Sequence, residues 1–250
     1  MLDTLPQPVV FAHRGASARA PENTIAAFEL ALTHQADAIE LDVKLSADGY
    51  VVVMHDATVD LTTDGKGRVR DLPLAELKAL DAGSRFSDQF KGEKVPTLEE
   101  VFEALGKRTF INVELTNYNS SRDSLVETVC MLVKKHKMQK RVLFSSFLAS
   151  NLSKARNFLP GVPRGLLALN GLLGVWARSF GFAFGKYDAL HPNLKDMTQQ
   201  EAMRVHRLKR RVHVWTVNDP QDMRRLFHWG VDGIFTDDPE LAVRVRADSK

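Results

Sequence analysis

Short apolar runs alternate with segments of helical period along the chain, and this alternation limits the folds that the sequence can adopt. The apolar runs are residues 9–12, 38–43, 110–115, 142–145, 164–168, 189–191, 212–217 and 233–235. The segments of helical period are residues 24–35, 98–105, 124–137, 149–158, 198–208, 220–229 and 240–246. Strands that are separated by helices pair in parallel, because the helix returns the chain to the same end of the sheet. Eight such strands in 250 residues predict an α/β fold, a (β/α)8 TIM barrel.

One segment interrupts the alternation after the second strand. Asp48-Gly49 lies between apolar runs, and this dipeptide is typical of hairpin turns that need positive φ angles. The second strand is therefore predicted to extend past the barrel rim and fold back. Residues 57–96 then form a small insertion over the barrel mouth, within a single domain that spans residues 1–250.

Composition and charge exclude two classes of partner. The formal net charge is only +3, and the densest basic stretch, residues 207–211, lacks the interleaved aromatic residues that stack on bases. We therefore expect no nucleic-acid partner.

Residues 165–184 form the longest apolar stretch, but Arg178 and several glycines interrupt it, so no transmembrane segment is predicted. Because residues 1–8 carry no apolar leader, the expected location is the cytoplasm, and the sequence indicates no oligomeric state.

Carboxylates are expected on the inner faces of two neighbouring strands. Successive side chains of a strand point to opposite faces, so Glu40 and Asp42 point together toward the barrel axis. On the next strand Asn112, Glu114 and Thr116 form the inward set. Buried carboxylates are costly unless they are paired or bind a metal, and a salt-bridged pair is the structural alternative.

Two histidines and an arginine are expected at the same end of the barrel. His13 and Arg14 follow the first strand directly, where chemistry sits in barrels of this kind. A surface loop is the alternative interpretation of these two residues. On the folded-back strand, a two-residue turn sets His55 opposite Asp42, and a four-residue turn sets it opposite Glu40. Directly opposed residues share a face, so either turn aims His55 at the carboxylates.

This set of side chains suits the cleavage of a phosphodiester. Three carboxylates without cysteine ligands favour a hard divalent cation, Mg²⁺ or Ca²⁺. A cation and an arginine neutralise the anionic substrate, and two histidines can move protons close to neutral pH. Zinc is less suitable, because it would occupy the histidines that the chemistry needs.

Several motifs together resemble the glycerophosphodiester phosphodiesterase family. They are HRG at 13–15, PENT at 21–24, Glu40-x-Asp42, His55-Asp56, VWTVN at 214–218 and GIFTD at 233–237. The resemblance runs from about Val9 to Arg244 in family order. It implies a divalent metal held by Glu40, Asp42 and Glu114, with His13 and His55 as the acid–base pair and Arg14 on the phosphate.

The resemblance also implies supporting residues around this centre. It places Glu22 close to the metal site in a supporting role. Asn23 or Thr24 can cap the first barrel helix, and we count Asn23 among the supporting residues. Trp215 would form an apolar wall against the glycerol moiety, and a role as core filler is its structural alternative.

One position departs from the family pattern. Many members carry a lysine two residues after the third metal carboxylate, where this chain has Thr116. A hydroxyl can still donate a hydrogen bond, but it carries no charge. Lys44 on the neighbouring inward face is a candidate replacement cation, and a second possibility is that phosphate binding rests on Arg14 and the metal.

The sequence thus predicts a metal-dependent phosphodiesterase that hydrolyses glycerophosphodiesters to glycerol 3-phosphate and an alcohol by two-histidine catalysis. One alternative is a lysophospholipase-D-like enzyme that acts on lipid diesters and makes transient contact with a membrane surface. The observation behind this alternative is the high density of apolar residues in 171–184, which could form an exposed lipid-binding surface. We expect these residues to pack onto the barrel instead. A non-catalytic phosphodiester-binding protein is a further alternative, and the only feature that supports it is Thr116 in place of the family lysine.

Overall fold

Eight parallel strands close into a barrel in the computed structural model, which describes residues 2–120 and 122–249. The strands are β1 Val9–Ala12, β2 Ala38–Leu45, β3 Val51–Val53, β4 Phe110–Leu115, β5 Val142–Ser146, β6 Arg164–Ala168, β7 Ala189–Pro192, β8 Arg211–Val214 and β9 Gly233–Thr236. Their order is β1-β9-β8-β7-β6-β5-β4-β2, and β2 pairs with β1 to complete the ring. The strand β3 pairs antiparallel with β2. The predicted TIM barrel is confirmed.

Helices connect successive barrel strands. They are α1 Ile25–Thr33, α2 Leu74–Ala79, α3 Leu98–Leu105, α4 Leu125–Lys135, α5 Ala149–Phe158, α6 Val175–Arg178, α7 Phe180–Phe184, α8 Gln199–Arg207, α9 Pro220–His228 and α10 Pro239–Asp248. Local caps explain several of their starts: the Thr24 hydroxyl accepts the Ala27 N–H at 3.2 Å before α1. Thr97 and Glu100 form a reciprocal capping box at α3.

Two layers of apolar side chains hold the barrel together. The outer layer includes Ile39, Leu41 and Val43 of β2 and Ile111, Val113 and Leu115 of β4, all fully buried. Inside the barrel, Phe11 and Phe235 stack with ring centroids 4.6 Å apart and pack with Leu143. The same alternation that sends the outer layer toward the helices sends Glu40 and Asp42 inward.

The hairpin after β2 differs from the prediction. Val43 pairs with Val53, and the ladder continues to Ser46 opposite Tyr50, so the loop has three residues, 47–49. A three-residue loop places its last residue in the left-handed region, where Gly49 has φ +86°. Met54, whose N–H donates to the Asp42 carbonyl, therefore lies opposite Asp42. The predicted two- or four-residue turn is wrong, and so is the register that it gave His55.

Residues 57–96 lie between the hairpin and α3, with α2 as their α-helix. They have an apolar cluster of their own, which includes Val59, Val69, Leu77 and Val95 and packs on Val52 of β3. The excursion after the second barrel strand is therefore present and is held by its own small core. That it forms part of a single domain remains our prediction.

The apolar segment between β6 and β7 differs from the prediction as well. It folds into the two short helices α6 and α7, which have four and five residues. Ala177 and Phe182 turn toward the barrel and are buried, whereas Leu172 and Phe184 are 91% and 83% exposed. The expectation that these side chains pack onto the barrel is wrong for most of them, because each short helix offers few inward positions. No helix of the described residues is long and apolar enough to cross a bilayer.

Candidate active site

Three carboxylates meet at the carboxyl end of the barrel. Asp42 of β2 lies directly beside Glu114 of β4 in the parallel register, and Glu40 lies one inward position lower. One oxygen from each of the three carboxylates lies within 4.8 Å of those of the other two. Glu40 and Asp42 are almost completely buried. The structure thus brings the three predicted metal ligands together.

Burial shapes the protonation of this cluster. Desolvation and the nearby charge of Asp42 raise the pKa of Glu114 to about 8. A hydrogen bond from the Tyr118 hydroxyl to Glu114 acts in the opposite direction and lowers this pKa. Desolvation and the charges of Asp42 and Glu114 also raise the pKa of Glu40 well above its ordinary value. Such a cluster of buried carboxylates calls for a compensating cation.

The donor set fits one divalent ion. Ligand oxygens at roughly 2.0–2.6 Å from a single Mg²⁺ or Ca²⁺ lie at most about 5 Å apart, which agrees with the spacing of the cluster. The ligands are carboxylate oxygens, which these hard cations prefer. The acidic cluster could therefore hold a divalent metal.

His13 is held by a carboxylate from the other end of the chain. Its Nδ1 lies 2.7 Å from Oδ1 of Asp237, which follows β9. Asp237 also accepts hydrogen bonds from Ser17 Oγ at 3.1 Å and from Asn218 Nδ2 at 2.5 Å. Burial acts to raise the pKa of Asp237, but these hydrogen bonds outweigh it and the pKa is lowered. An ionised Asp237 can only accept a hydrogen bond here, which favours the proton of a neutral His13 ring on Nδ1 and leaves Nε2 unprotonated.

His55 has an equivalent partner next to it in the sequence. Its Nδ1 lies 2.8 Å from Oδ1 of Asp56. Although the ladder register differs from the prediction, β3 ends at Val53 and the chain bends, so His55 lines the same cavity as His13. The structure therefore brings the two histidines to one cavity, each with a carboxylate on Nδ1.

Arg14 connects the first loop to the carboxylates. Its Nη1 donates to Glu22 at 3.0 Å, its Nε lies 3.4 Å from Asp42, and its backbone N–H donates to Glu40 at 2.9 Å. The turn that allows this needs glycine next in sequence, because Gly15 has φ +88° and a Cβ there would lie 2.7 Å from the backbone of Ala27.

Asn23 supports the cluster and does not cap the first helix, a role that Thr24 takes. Its Nδ2 donates to Asp42 Oδ2 at 3.0 Å, and its Oδ1 accepts the Asp42 backbone N–H at 3.3 Å. Glu22 contacts Arg14 and is half-buried. Two of the three predicted supporting residues, Glu22 and Asn23, therefore hydrogen-bond directly to charged members of the site, and the third, Thr116, contacts Lys44.

Lys44 and Thr116 contact each other beside the cluster. Lys44 Nζ donates to Thr116 Oγ1 at 2.7 Å and to the Thr116 carbonyl at 3.1 Å. Burial lowers the pKa of Lys44, although the charges of Asp42 and Glu114 act to raise it. Both residues line a neighbouring cavity of about 250 Å³ and are not among those that line the histidine cavity.

Aromatic side chains form part of the wall of the histidine cavity. Trp215 follows β8 and packs edge-on against Phe147, which in turn packs edge-on against Tyr118. Trp215 Nε1 donates to the carbonyl of His191 at 2.7 Å. The ring of His191 is fully buried, and burial lowers its pKa well below the ordinary value, so it is a neutral part of the floor. Trp215 therefore faces the cavity as predicted and is also fixed in place.

Sequence reasoning gave no role to four residues that complete this arrangement: Asp56, Tyr118, Phe147 and Asp237. Asp56 and Asp237 belong to the motifs His55-Asp56 and GIFTD, and their position just after a strand could have indicated that they lie in the site. Tyr118 lies in the loop after β4, and no periodicity marks it.

Comparisons with known proteins find relatives that match nearly the whole chain. Residues 13–241 match the model of the glycerophosphoryl diester phosphodiesterase family. A glycerophosphodiester phosphodiesterase of Caldanaerobacter subterraneus subsp. tengcongensis is 40% identical over 238 residues, which cover 95% of this chain and 97% of that protein. A glycerophosphodiester phosphodiesterase of Bacillus subtilis is 35% identical over 249 residues, which cover 94% and 85%.

A solved structure is similar throughout. The phosphodiesterase of Oleispira antarctica, in complex with the product sn-glycerol-3-phosphate, matches with a TM-score of 0.89 and 31% identity over 98% of each chain. These findings confirm the predicted resemblance and the predicted enzyme class. The chain belongs to the glycerophosphoryl diester phosphodiesterase family.

Proposed function

We propose that this chain hydrolyses glycerophosphodiesters to glycerol 3-phosphate and an alcohol, in a metal-dependent reaction with two catalytic histidines. One observation carries the proposal: His13 and His55 line the same cavity as Glu40 and Glu114, and each ring has a carboxylate on its Nδ1. The product-bound Oleispira antarctica relative supports the choice of glycerol 3-phosphate as product.

A divalent cation would be held by Glu40, Asp42 and Glu114. When bound, it would draw electron density from the phosphate oxygens and offset the charge of the substrate. Arg14, held at the edge of the cluster by Glu22, would bind the phosphate as a second positive group. Lys44 would supply a further cation from the side of Thr116.

The histidines would move the protons. In the first step one ring takes the proton of the glycerol hydroxyl next to the phosphate while the hydroxyl oxygen bonds to phosphorus. The bond from phosphorus to the other alcohol breaks, and the second ring gives that alcohol its proton. Water then opens the cyclic phosphate with the two rings in exchanged roles. Each proton transfer of this kind contributes about 10²–10⁴-fold in rate.

Trp215 would form an apolar wall against the carbon chain of glycerol. It lines the histidine cavity, and its hydrogen bond to the His191 carbonyl fixes the indole ring. A rigid aromatic face of this kind buries CH groups and leaves the hydroxyl groups to polar partners.

The test is an activity panel of diesters and metals, run with single-histidine variants. We expect His13→Ala and His55→Ala each to lower kcat on glycerophosphocholine by about 10²–10⁴-fold. His228→Ala, on the exposed side of α9, is the matched control and keeps native activity. Native turnover in either site variant would refute the assignment, and turnover that survives EDTA would refute the metal. The panel includes lysophosphatidylcholine, and faster cleavage of it would favour the lipid-diester alternative.

A further inference from the structure

A patch of exposed apolar side chains covers the connection between β6 and β7. We call it the apolar patch; its members are Leu169, Leu172, Leu173, Val175, Trp176, Phe180 and Phe184, which are 40–91% exposed. These seven are half of the fourteen large hydrophobic residues that are exposed among residues 2–120 and 122–249. Single exposed hydrophobic residues are ordinary on a protein surface, but a contiguous group of this kind marks an interaction site.

Arginines hold the backbone beneath the apolar patch. Arg178 donates to the carbonyls of Leu169 at 2.6 Å and Gly171 at 2.9 Å. Arg210 donates to the carbonyl of Gly185 at 2.9 Å, and its guanidinium lies over the ring of Phe182. The segment is therefore fixed to the barrel by polar contacts to its main chain, and its outward side chains remain available to a partner.

The charge around the apolar patch is one-sided. Residues 165–187 contain no aspartate or glutamate, and Arg178 and Lys186 lie within them. Arg178 is largely buried and forms an ion pair with Asp196 at 2.9 Å, so the two charges offset each other and Lys186 supplies the exposed positive charge. A surface that combines Trp, Phe and Leu with an exposed lysine, Lys186, and no acidic residue within 165–187 suits the interface of an anionic bilayer.

The position of the apolar patch relates it to the active site. It begins at Leu169, two residues after Leu167, which lines the histidine cavity. Both therefore belong to the carboxyl end of β6, and the patch starts at the rim of the cavity.

We propose that the apolar patch docks the enzyme on the surface of a bilayer that contains anionic lipids. Trp176, Phe180, Phe184 and the leucines enter the interface, while Lys186 contacts the headgroups. This inference concerns attachment and does not depend on which diester is hydrolysed.

The test measures partition of the full chain onto vesicles of phosphatidylglycerol and phosphatidylcholine by sedimentation. The double variant Phe180→Ser with Phe184→Ser is expected to lose at least about tenfold in partition. Leu61→Ser removes an equally exposed leucine, 71% exposed, from residues 57–96 and is the matched control with native partition. Both variants keep native turnover of soluble glycerophosphocholine, because neither touches the site.

Fluorescence locates the contact independently of partition. Brominated lipids are expected to quench the native protein, and Trp176→Phe is expected to abolish most of that quenching. The other two tryptophans lie elsewhere: Trp215 is held in the site, and Trp229 ends α9, where the chain returns to the amino end of β9. The proposal is overturned if native protein does not bind anionic vesicles, or if the double variant binds as well as native protein. It is also overturned if light scattering shows a native dimer that the double variant dissociates, because a second copy then covers the patch.

Discussion

The hydrogen bond between His13 and Asp237 offers the sharpest test of the proposed chemistry. The variant Asp237→Asn keeps the shape of the side chain and removes its charge. Asn218 donates to one oxygen of Asp237, so the new amide oxygen turns toward Asn218 and its NH₂ turns toward His13. That NH₂ would donate to Nδ1 and force the ring proton onto Nε2, the nitrogen through which His13 has to accept a proton in one of the two proposed steps.

The expected loss follows from the role of the ring. A base that carries its proton on the wrong nitrogen loses the contribution of general catalysis, which is about 10²–10⁴ in kcat, or roughly 2.7–5.5 kcal/mol in the barrier. Ser17→Ala is the matched control, because it removes the hydroxyl contacts with Asp237 at 3.1 Å and with the His13 carbonyl at 2.8 Å and leaves the contact between His13 Nδ1 and Asp237. We expect this control to change kcat by less than about threefold.

The assay follows release of glycerol 3-phosphate from saturating glycerophosphocholine with Mg²⁺, between about pH 6 and pH 9. Thermal unfolding of each variant separates a change in chemistry from a loss of fold. If Asp237→Asn keeps kcat within about threefold of native while His13→Ala loses it, Asp237 does not set the tautomer of His13 and the reasoning is refuted.

Two further predictions concern the charges beside the histidines. Lys44→Met removes the proposed charge-assisted contact with the phosphate and should lower kcat/KM about 10- to 150-fold. Adding Thr116→Lys to this variant should recover much of the lost kcat/KM. Native kcat/KM in Lys44→Met would contradict the role of Lys44 as a phosphate-binding cation. In metal-free protein, the free energy of unfolding should fall as the pH rises from about 5 to about 8, because the folded state raises the pKa of Glu114 from 4.5 to about 8 and so binds its proton more tightly. Urea unfolding in EDTA checks this, and Glu114→Gln or added Mg²⁺ should flatten the slope; an equal slope in the variant would contradict it.

Most of the barrel and its carboxylates could be predicted from the sequence, because they depend on local patterns. The two-residue period of a strand alone sends Glu40 and Asp42 to the inside and Leu41 to the outside. Parallel pairing of neighbouring strands then brings Glu114 beside Asp42. No information beyond strand order and alternation was needed for this part of the site.

The remaining features depend on backbone detail or on distant partners. The hairpin register followed from a three-residue loop closed at Gly49, and Asp48-Gly49 is compatible with several loop lengths. His55 reaches the cavity because β3 ends at Val53 and the chain bends there, whereas the sequence prediction continued the pairing of β2 and β3 as far as His55. Side-chain exposure around α6 and α7 depends on helix length, and the apolar pattern of the segment does not specify it.

The pairing of β1 with β9 ties the proposed chemistry to the closure of the ring. His13 and Asp237 are separated by 224 residues, and β1 and β9 are neighbours in the ring. A fragment that stops before β9 lacks this carboxylate altogether, however well its remaining strands assemble. In refolding experiments the return of turnover should therefore time the closure of the ring, while circular dichroism times the formation of helices.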